Sequence, residues 1–449
     1  MFSTEDTIVA IATPPGRGGL GIVRLSGPAA VEISQALLSL DTPLQPRHAT
    51  FARTRDDQVV ATWFVAPHSY TGEHVVEISA HGSPVVLRQM VDRAMQGGAR
   101  LAEPGEFTFR AFLNGRIDLV QAEAVADLID AVTPLQARAA FDQLEGTLTE
   151  RIAAIDVELF DLIARLEASL DFPDEGYHFV ETGEAGAALR SIENTLATLV
   201  CEAKRGRLIR EGARVAIVGK TNVGKSSLFN ALLRAGRSIV TPIPGTTRDL
   251  ITETADIGGL RLELTDTAGL RVTEDAVEVE GVDRARRAWT TADLVLLVLD
   301  VSHPLEGADF ELLSETASAL RVVVANKIDL APVWTGAALP VEAEQISSKT
   351  GKGLDDLQHR MRAVLEGSNP SIQRDSAAVT NVRHQALLER ARHSLRRAAD
   401  AVENPAGAVA EEFVLTDLQD ARAALEEVTG KRTSEDVLRH IFSRFCIGK

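Results

Sequence analysis

Eight consecutive residues, Gly219-Lys220-Thr221-Asn222-Val223-Gly224-Lys225-Ser226, have the spacing G-x-x-x-x-G-K-S and directly follow the apolar run Val215 to Val218. Glycines at these positions let a loop curl so that its backbone N–H groups point at phosphate oxygens, and a helix starting there adds its positive end. Lys225 has the reach for β- and γ-phosphates, and the Ser226 hydroxyl can ligate Mg²⁺. This loop alone leaves ATP and GTP open. Asn326-Lys327-Ile328-Asp329 follows a second apolar run and chooses between them. A carboxylate at Asp329 accepts from the two N–H groups on the guanine edge, a donor pair that adenine lacks. Ser347-Ser348-Lys349 comes later, where a loop can cover the base. Asp266-Thr267-Ala268-Gly269 ends a strand-like run, so Asp266 can hold Mg²⁺ through water and the Gly269 N–H can meet a γ-phosphate. Between them lies Gly245-Thr246-Thr247-Arg248-Asp249, in which Thr247 can ligate Mg²⁺. Five fragments in this order point to binding and hydrolysis of GTP.

These fragments need a parallel sheet with crossover helices. The β-branched runs Val215 to Val218, Leu260 to Leu264, Leu294 to Leu299 and Val322 to Ala325 alternate with helical stretches and predict such an α/β region. Before it, residues 1 to about 118 mix strand-like runs with Gly/Pro turns: Thr7 to Ala12, Val59 to Val65 and Val75 to Ser79, then a helix from Pro84 to Gln96. From Leu119 the apolar spacing is helical, with a break at Thr133-Pro134, a loop over Leu170 to Gly176 and a further helix from Thr182 to Ile209. After Asn369-Pro370 the chain reads as helical to its end. The expected division is 1–118, an α+β domain; 119–210, an all-α domain; 211–368, an inserted P-loop domain; and 369–449, the rest of the all-α domain.

Composition bounds the function. Lys and Arg total 47 against 64 Asp and Glu, a net charge of −17, which repels nucleic acid on average and leaves RNA binding to a local patch or a partner. Two basic stretches exist, Lys204 to Arg214 and Arg383 to Arg397, and each reads first as a solvated helix face. There is no secretory signal and no apolar run long enough to span a membrane. Two distant cysteines, Cys201 and Cys446, suit the reducing cytoplasm. Cys201, within Leu196 to Val200 and its continuation, is expected in the core. Cys446 stands near the end, after a helix that Thr433-Ser434-Glu435-Asp436 can cap, where it is either a small buried anchor or a reactive thiol.

The nucleotide fragments resemble the TrmE–Era–EngA group of GTPases. In that group an apolar residue, here Leu270, stands where a water-orienting glutamine is found elsewhere. The resemblance implies a potassium ion in place of an arginine finger, held by Asn222 and by carbonyls at Thr241, Ile243 and Thr246, and a water-activating carboxylate at Glu278. It carries over nucleotide contacts at Asn222, Val223, Gly224, Lys225, Ser226 and Ser227, at Thr241, Pro242, Ile243, Pro244, Gly245, Thr246 and Thr247, at Asp266, Thr267, Ala268 and Gly269, and at Asn326, Lys327, Asp329, Ser347, Ser348 and Lys349, with Mg²⁺ on Ser226 and Thr247.

Outside the α/β region the blocks Asp6 to Arg24, Ser69 to Glu73, Pro104 to Thr108, Arg110 to Gly115 and the terminal Cys446-Ile447-Gly448-Lys449 resemble the MnmE (TrmE) family of tRNA-modifying GTPases, so the likeness spans essentially the whole chain. It implies a homodimer whose N-terminal domain binds 5-formyl- or 5,10-methylene-tetrahydrofolate at Arg24, Glu77, Arg116 and Lys449. It implies a flavoprotein partner (MnmG, or GidA) in a heterotetramer or larger complex, and a carboxymethylaminomethyl-type modification at C5 of the tRNA wobble uridine that depends on Cys446. By residue chemistry alone the plainer reading is the stronger one: Glu77, in the strand Val75 to Ser79, faces solvent, and Arg24 and Arg116 are ordinary surface charges. The chain departs from the family pattern at Thr221, Ala80, Ser83, Phe109 and Arg116, none of them a phosphate or guanine contact. The alternatives are a ribosome-assembly GTPase of the Era/EngA type that binds rRNA, and a folate enzyme with a regulatory GTPase domain.

Overall fold

The computed structural model describes residues 5–40, 42–171, 182–235, 237–238, 252–266, 289–367, 379–403 and 411–448. The chain opens with β1 (Ile8–Ile11), β2 (Gly18–Ser26), α1 (Ala30–Leu37), β3 (Thr50–Arg53), β4 (Gln58–Phe64), β5 (Val75–Gly82), α2 (Pro84–Gln96) and β6 (Arg100–Leu101). Helices α3 (Glu106–Leu113), α4 (Leu119–Asp130), α5 (Pro134–Leu144), α6 (Thr147–Asp171) and α7 (Thr182–Glu211) follow. Then come β7 (Ala213–Val218), α8 (Lys225–Ala235), β8 (Arg237–Ser238), β9 (Thr252–Ile257), β10 (Leu260–Asp266), β11 (Leu294–Asp300), α9 (Gly307–Glu315), β12 (Arg321–Asn326), β13 (Ala343–Gln345) and α10 (Leu354–Glu366). The last helices are α11 (Val382–Glu403), α12 (Glu411–Thr429) and α13 (Glu435–Phe442).

These elements form two compact units. The first comprises Met1–Ala126, Gln143–Val180 and Val409–Lys449, and the second Asp127–Asp142 and Glu181–Ala408.

In the first unit the strand order is β3-β4-β5-β2-β1-β6, antiparallel except for the β1–β6 pair. Alternation along β2 and β5 sends Val23, Leu25, Val76 and Ile78 to the face covered by α1 and α2, through Ile33, Leu87 and Met90. It sends Arg24 and Glu77, register partners, to the opposite face. A second core joins α3 and α13 through Phe109, Phe442 and Phe445, with the Phe109 and Phe442 rings edge to face at 5.1 Å. Helices α6 and α12 pack together, tied by Arg422 to Asp156 at 2.9 Å.

In the second unit the order is β13-β12-β11-β7-β10-β9-β8, parallel except at β10–β9 and β9–β8. Both faces are buried. Leu228, Leu232, Leu357 and Met361 of α8 and α10 cover one, and Leu313 of α9 covers the other. This explains strands such as Leu294–Asp300 that are apolar at every position but the last. Helices α7 and α11, on either side of this sheet in the chain, pack along each other. Gly206 of α7 lies against the Val379 carbonyl, with no room for a Cβ.

The structure corrects three expectations. Cys201 is exposed: α7 turns it away from the face that buries Leu196, Leu199 and Val200. Ser434 occupies the N-cap of α13 without a side-chain capping bond. Leu170 and Asp171 belong to α6 and not to a loop.

Candidate functional site

Of the nucleotide motifs, the phosphate loop, residues 326–329 and residues 347–349 follow the carboxyl ends of β7, β12 and β13, and Asp266 ends β10 next to β7. In an open α/β sheet that edge is where ligands bind. β7 runs into the loop at Gly219, and α8 starts at Lys225. Gly219, Asn222 and Gly224 all have positive φ, at 153°, 61° and 100°. A Cβ on Gly219 would overlap the Val298 carbonyl, and one on Gly224 would overlap the Asn326 amide nitrogen. The glycine spacing in the sequence is therefore a packing requirement as well as a conformational one. Lys225 is buried, and its Nζ donates to the carbonyls of Gly219 at 2.8 Å and Lys220 at 2.6 Å. Ser226 and Ser227 sit exposed on the first turn of α8. Lys220 is pinned from α9 by Glu306 at 2.8 Å and Asp309 at 2.7 Å, which raises its pKa.

The segment 326–329 is hydrogen-bonded to this loop. Asn326, buried at the end of β12, donates from Nδ2 to the Val223 carbonyl at 2.9 Å. Its Oδ1 accepts from the Ser348 N–H at 3.0 Å and Oγ at 2.8 Å. Lys327 Nζ donates to the Asn222 carbonyl at 2.7 Å. Ser347 Oγ donates to Asp329 Oδ1 at 2.6 Å. That bond, with Lys349 and Lys327 nearby, holds the Asp329 carboxyl below its ordinary value and keeps it an acceptor. Asp329, Lys327, Lys349, Gly224 and Ser227 line a cleft of about 750 Å³, within the range of about 300–1,000 Å³ usual for ligand pockets. Asp266 ends β10 beside Ile217 of β7, which places its backbone next to the phosphate loop. The loop of backward-curling backbone, the helix start and the buried lysine fit a nucleotide polyphosphate, and the Asp329 carboxylate fits guanine.

A second cluster lies on the face of the first unit's sheet opposite α1 and α2, where Phe107 of α3 packs on Ile8 and Ala10. Arg24 pairs with Glu77 through Nε at 2.9 Å and a terminal nitrogen at 2.8 Å, both to Oε1. It also donates to the Gly448 carbonyl at 3.3 Å and lies 5.5 Å from the Tyr70 ring centre and 5.6 Å from that of Phe107. Tyr70 bonds Thr108 at 2.8 Å. Beneath it the buried Arg110 binds Asp6 at 2.6 Å and Glu73 and Glu106 at 3.1 Å each, and Glu73 accepts from Ser26 at 2.6 Å. This network fixes the loop that carries Tyr70. Arg116 is exposed beside Gly72 of that loop.

The family model for the MnmE helical domain matches residues 119–446, and that for the GTP-binding protein TrmE N-terminus matches residues 7–116. The tRNA modification GTPase MnmE of Koribacter versatilis is 44% identical over 100% of this chain and 100% of its own length. That of Thiobacillus denitrificans is 42% identical over 99% of this chain and 98% of its own length. The chain belongs to the MnmE family of GTPases.

Within the MnmE framework the described residues bring together Arg24, Glu77 and the tail at Gly448. Gly448 has φ 96° and lies so close to the Ile11 carbonyl that no Cβ would fit. Cys446 is exposed, and its carbonyl accepts from the Gly105 N–H at 3.4 Å. Thr241, Pro242, Ile243, Pro244, Gly245, Thr246, Thr247, Thr267, Ala268, Gly269, Glu278 and Lys449 lie outside the described residues. Sequence reasoning does not single out Lys220, Asp300 or Arg110 as site residues. The first two are held by acids and bases distant in sequence, and no local spacing announces such pairs.

Proposed function

We propose that this chain hydrolyses GTP in a potassium-dependent reaction and, with a flavoprotein partner, serves the carboxymethylaminomethyl-type modification of the tRNA wobble uridine, using a folate one-carbon unit. The observation that carries the GTP reading is the direct hydrogen bonding of the guanine-reading residues Asn326 and Lys327 to the phosphate-loop carbonyls of Val223 and Asn222. The tRNA reading rests on family membership over the full chain.

In this reading the N–H groups of the loop and Lys225 bind the phosphates, Ser226 and Thr247 hold Mg²⁺, and Asp329 reads guanine. Asn222, exposed at the crest of the loop, offers an amide oxygen to K⁺ together with the carbonyls of Thr241, Ile243 and Thr246; the cation supplies positive charge where the transition state accumulates negative charge. Glu278 activates the water. Glu77 keeps Oε2 free of partners among the described residues, so it fits the donor edge of a pterin, and the exposed Arg116 and the terminal Lys449 suit a folate glutamate tail. The exposed Cys446 joins the modification chemistry. The domain bounds 1–118, 119–210, 211–368 and 369–449, a homodimer and a cytoplasmic location complete the proposal.

Wobble nucleosides from cells lacking the gene, complemented with wild type or Cys446→Ser, test it by mass spectrometry. Loss of the modified uridine, restored by wild type alone, is expected; unchanged nucleosides on deletion would refute the tRNA role. Turnover of GTP by the pure protein is expected to be faster in K⁺ than in Na⁺, and equal rates would remove the potassium site.

A further inference from the structure

Asp300 ends β11 opposite Asn326 and belongs to no nucleotide motif. Its carboxylate is only 9% exposed and fully engaged. Oδ1 accepts from the Ser302 N–H at 2.9 Å and Oγ at 2.6 Å. Oδ2 accepts from Lys327 Nζ at 2.6 Å and faces His303 Nδ1 at 3.1 Å. The Asp300 carbonyl takes the Trp334 indole N–H at 2.9 Å, so the acid's own backbone is fixed.

Lys327 is the link. Its ammonium also donates to the Asn222 carbonyl, while Asn326 holds the next carbonyl, that of Val223. A trans peptide points its C=O and N–H in opposite directions. Holding the Asn222 carbonyl therefore aims the Val223 N–H, and holding the Val223 carbonyl aims the Gly224 N–H. Both aims are needed where a loop cradles phosphate with backbone donors. Asn222 sits at φ 61°, in the left-handed region that asparagine is among the few residues with a Cβ to tolerate. A lysine head on a flexible stem holds one carbonyl poorly unless a second partner fixes it.

We infer that Asp300 is a positioning residue for nucleotide binding: through Lys327 it sets the orientation of the phosphate-loop peptide after Asn222. The inference rests on the guanine-nucleotide reading of this pocket. It assigns Asp300 no contact with the nucleotide.

The test is the dissociation rate of a fluorescent GDP analogue from the full-length protein, measured for wild type, Asp300→Asn, Lys327→Met and the double variant. This rate is read only from folded, loaded molecules, so loss of folded protein does not imitate the effect. Asp300→Asn is expected to release GDP about tenfold faster, equivalent to about 1.4 kcal/mol. The double variant is expected to match Lys327→Met alone, because Asp300 acts through that lysine. Asp300→Glu, which keeps the charge one methylene further out, recovers part of the loss and serves if the asparagine variant folds poorly. Release from Asp300→Asn at the wild-type rate, or effects that multiply in the double variant, would overturn the inference alone. Failure of wild type to bind the analogue would overturn the nucleotide reading and the inference with it.

Discussion

In the cleft, Asp329 offers an acceptor carboxylate with one oxygen bonded to Ser347. Asp329→Asn replaces an acceptor with a donor. Guanine then loses its partner, while xanthine, which carries a carbonyl in place of the amino group, gains one. GTP affinity is expected to fall by about 10- to 100-fold, from the roughly 1.5–3 kcal/mol that hydrogen bonds to a charged group contribute, and xanthosine triphosphate to bind better than GTP; titration calorimetry with both nucleotides checks this. A second prediction concerns acid. Burial pushes the Asp300 carboxyl up, but the bonds from Lys327 and Ser302 outweigh it and hold it at about 2. An unfolded Asp titrates at about 3.9. The stability this acid contributes is thus complete above about pH 4 and lost as pH falls toward 2. Acid unfolding followed by circular dichroism should be less steep over that window in Asp300→Asn. At this scale the residues that line the cleft, Gly224, Ser227, Lys327, Asp329 and Lys349, are legible in the sequence because their motifs are contiguous. Asp300 is not, because a lone acid closing an apolar strand has many ordinary explanations.

At the scale of the element, the aromatic packing of α13 decides where the tail lies. Phe442 is fully buried between Phe109 and Phe445, and its carbonyl crowds Gly105. Phe442→Ala should cost about 3–5 kcal/mol, the range for emptying a buried aromatic site, seen as a lower midpoint in urea. Alkylation of Cys446 should quicken in the same variant as its anchor loosens. The helices were largely readable from spacing and from breaks such as Pro134, where α5 starts. The antiparallel edge of the second unit was not. The strand β9, Thr252–Ile257, is short and polar on one side, with only Ala255 and Ile257 buried, so its apolar signal is weak. Its signature was the Gly258-Gly259 turn joining two alternating runs, a hairpin cue that periodicity alone passes over. The exposure of Cys201 is not legible for a related reason: an apolar neighbourhood in sequence does not say which side of a helix a residue takes.

For the molecule as a whole, the parallel sheet and its helices are continuous in the chain from Ala213 to Glu366 and carry cores on both faces. A fragment of residues 211–368 is therefore expected to fold and bind GDP by itself, with an affinity within about tenfold of the full protein if the phosphate loop needs no help from α7 or α11. A fluorescence titration on the purified fragment tests this; an unfolded fragment would mean that those helices complete the domain. The pairing of α7 with α11 has a bearing on how the protein is made. Helix α7 leaves the ribosome first, with Leu189, Leu196 and Leu199 on the face that it later buries. Its partner is translated only after the entire sheet and every residue up to Asn381. At ordinary rates of synthesis that delay is roughly 10–30 s, ample time for the sheet to fold while α7 waits with its leucines uncovered. The nascent chain thus carries the leucine face of α7 without its α11 cover for a defined interval, which closes when α11 emerges.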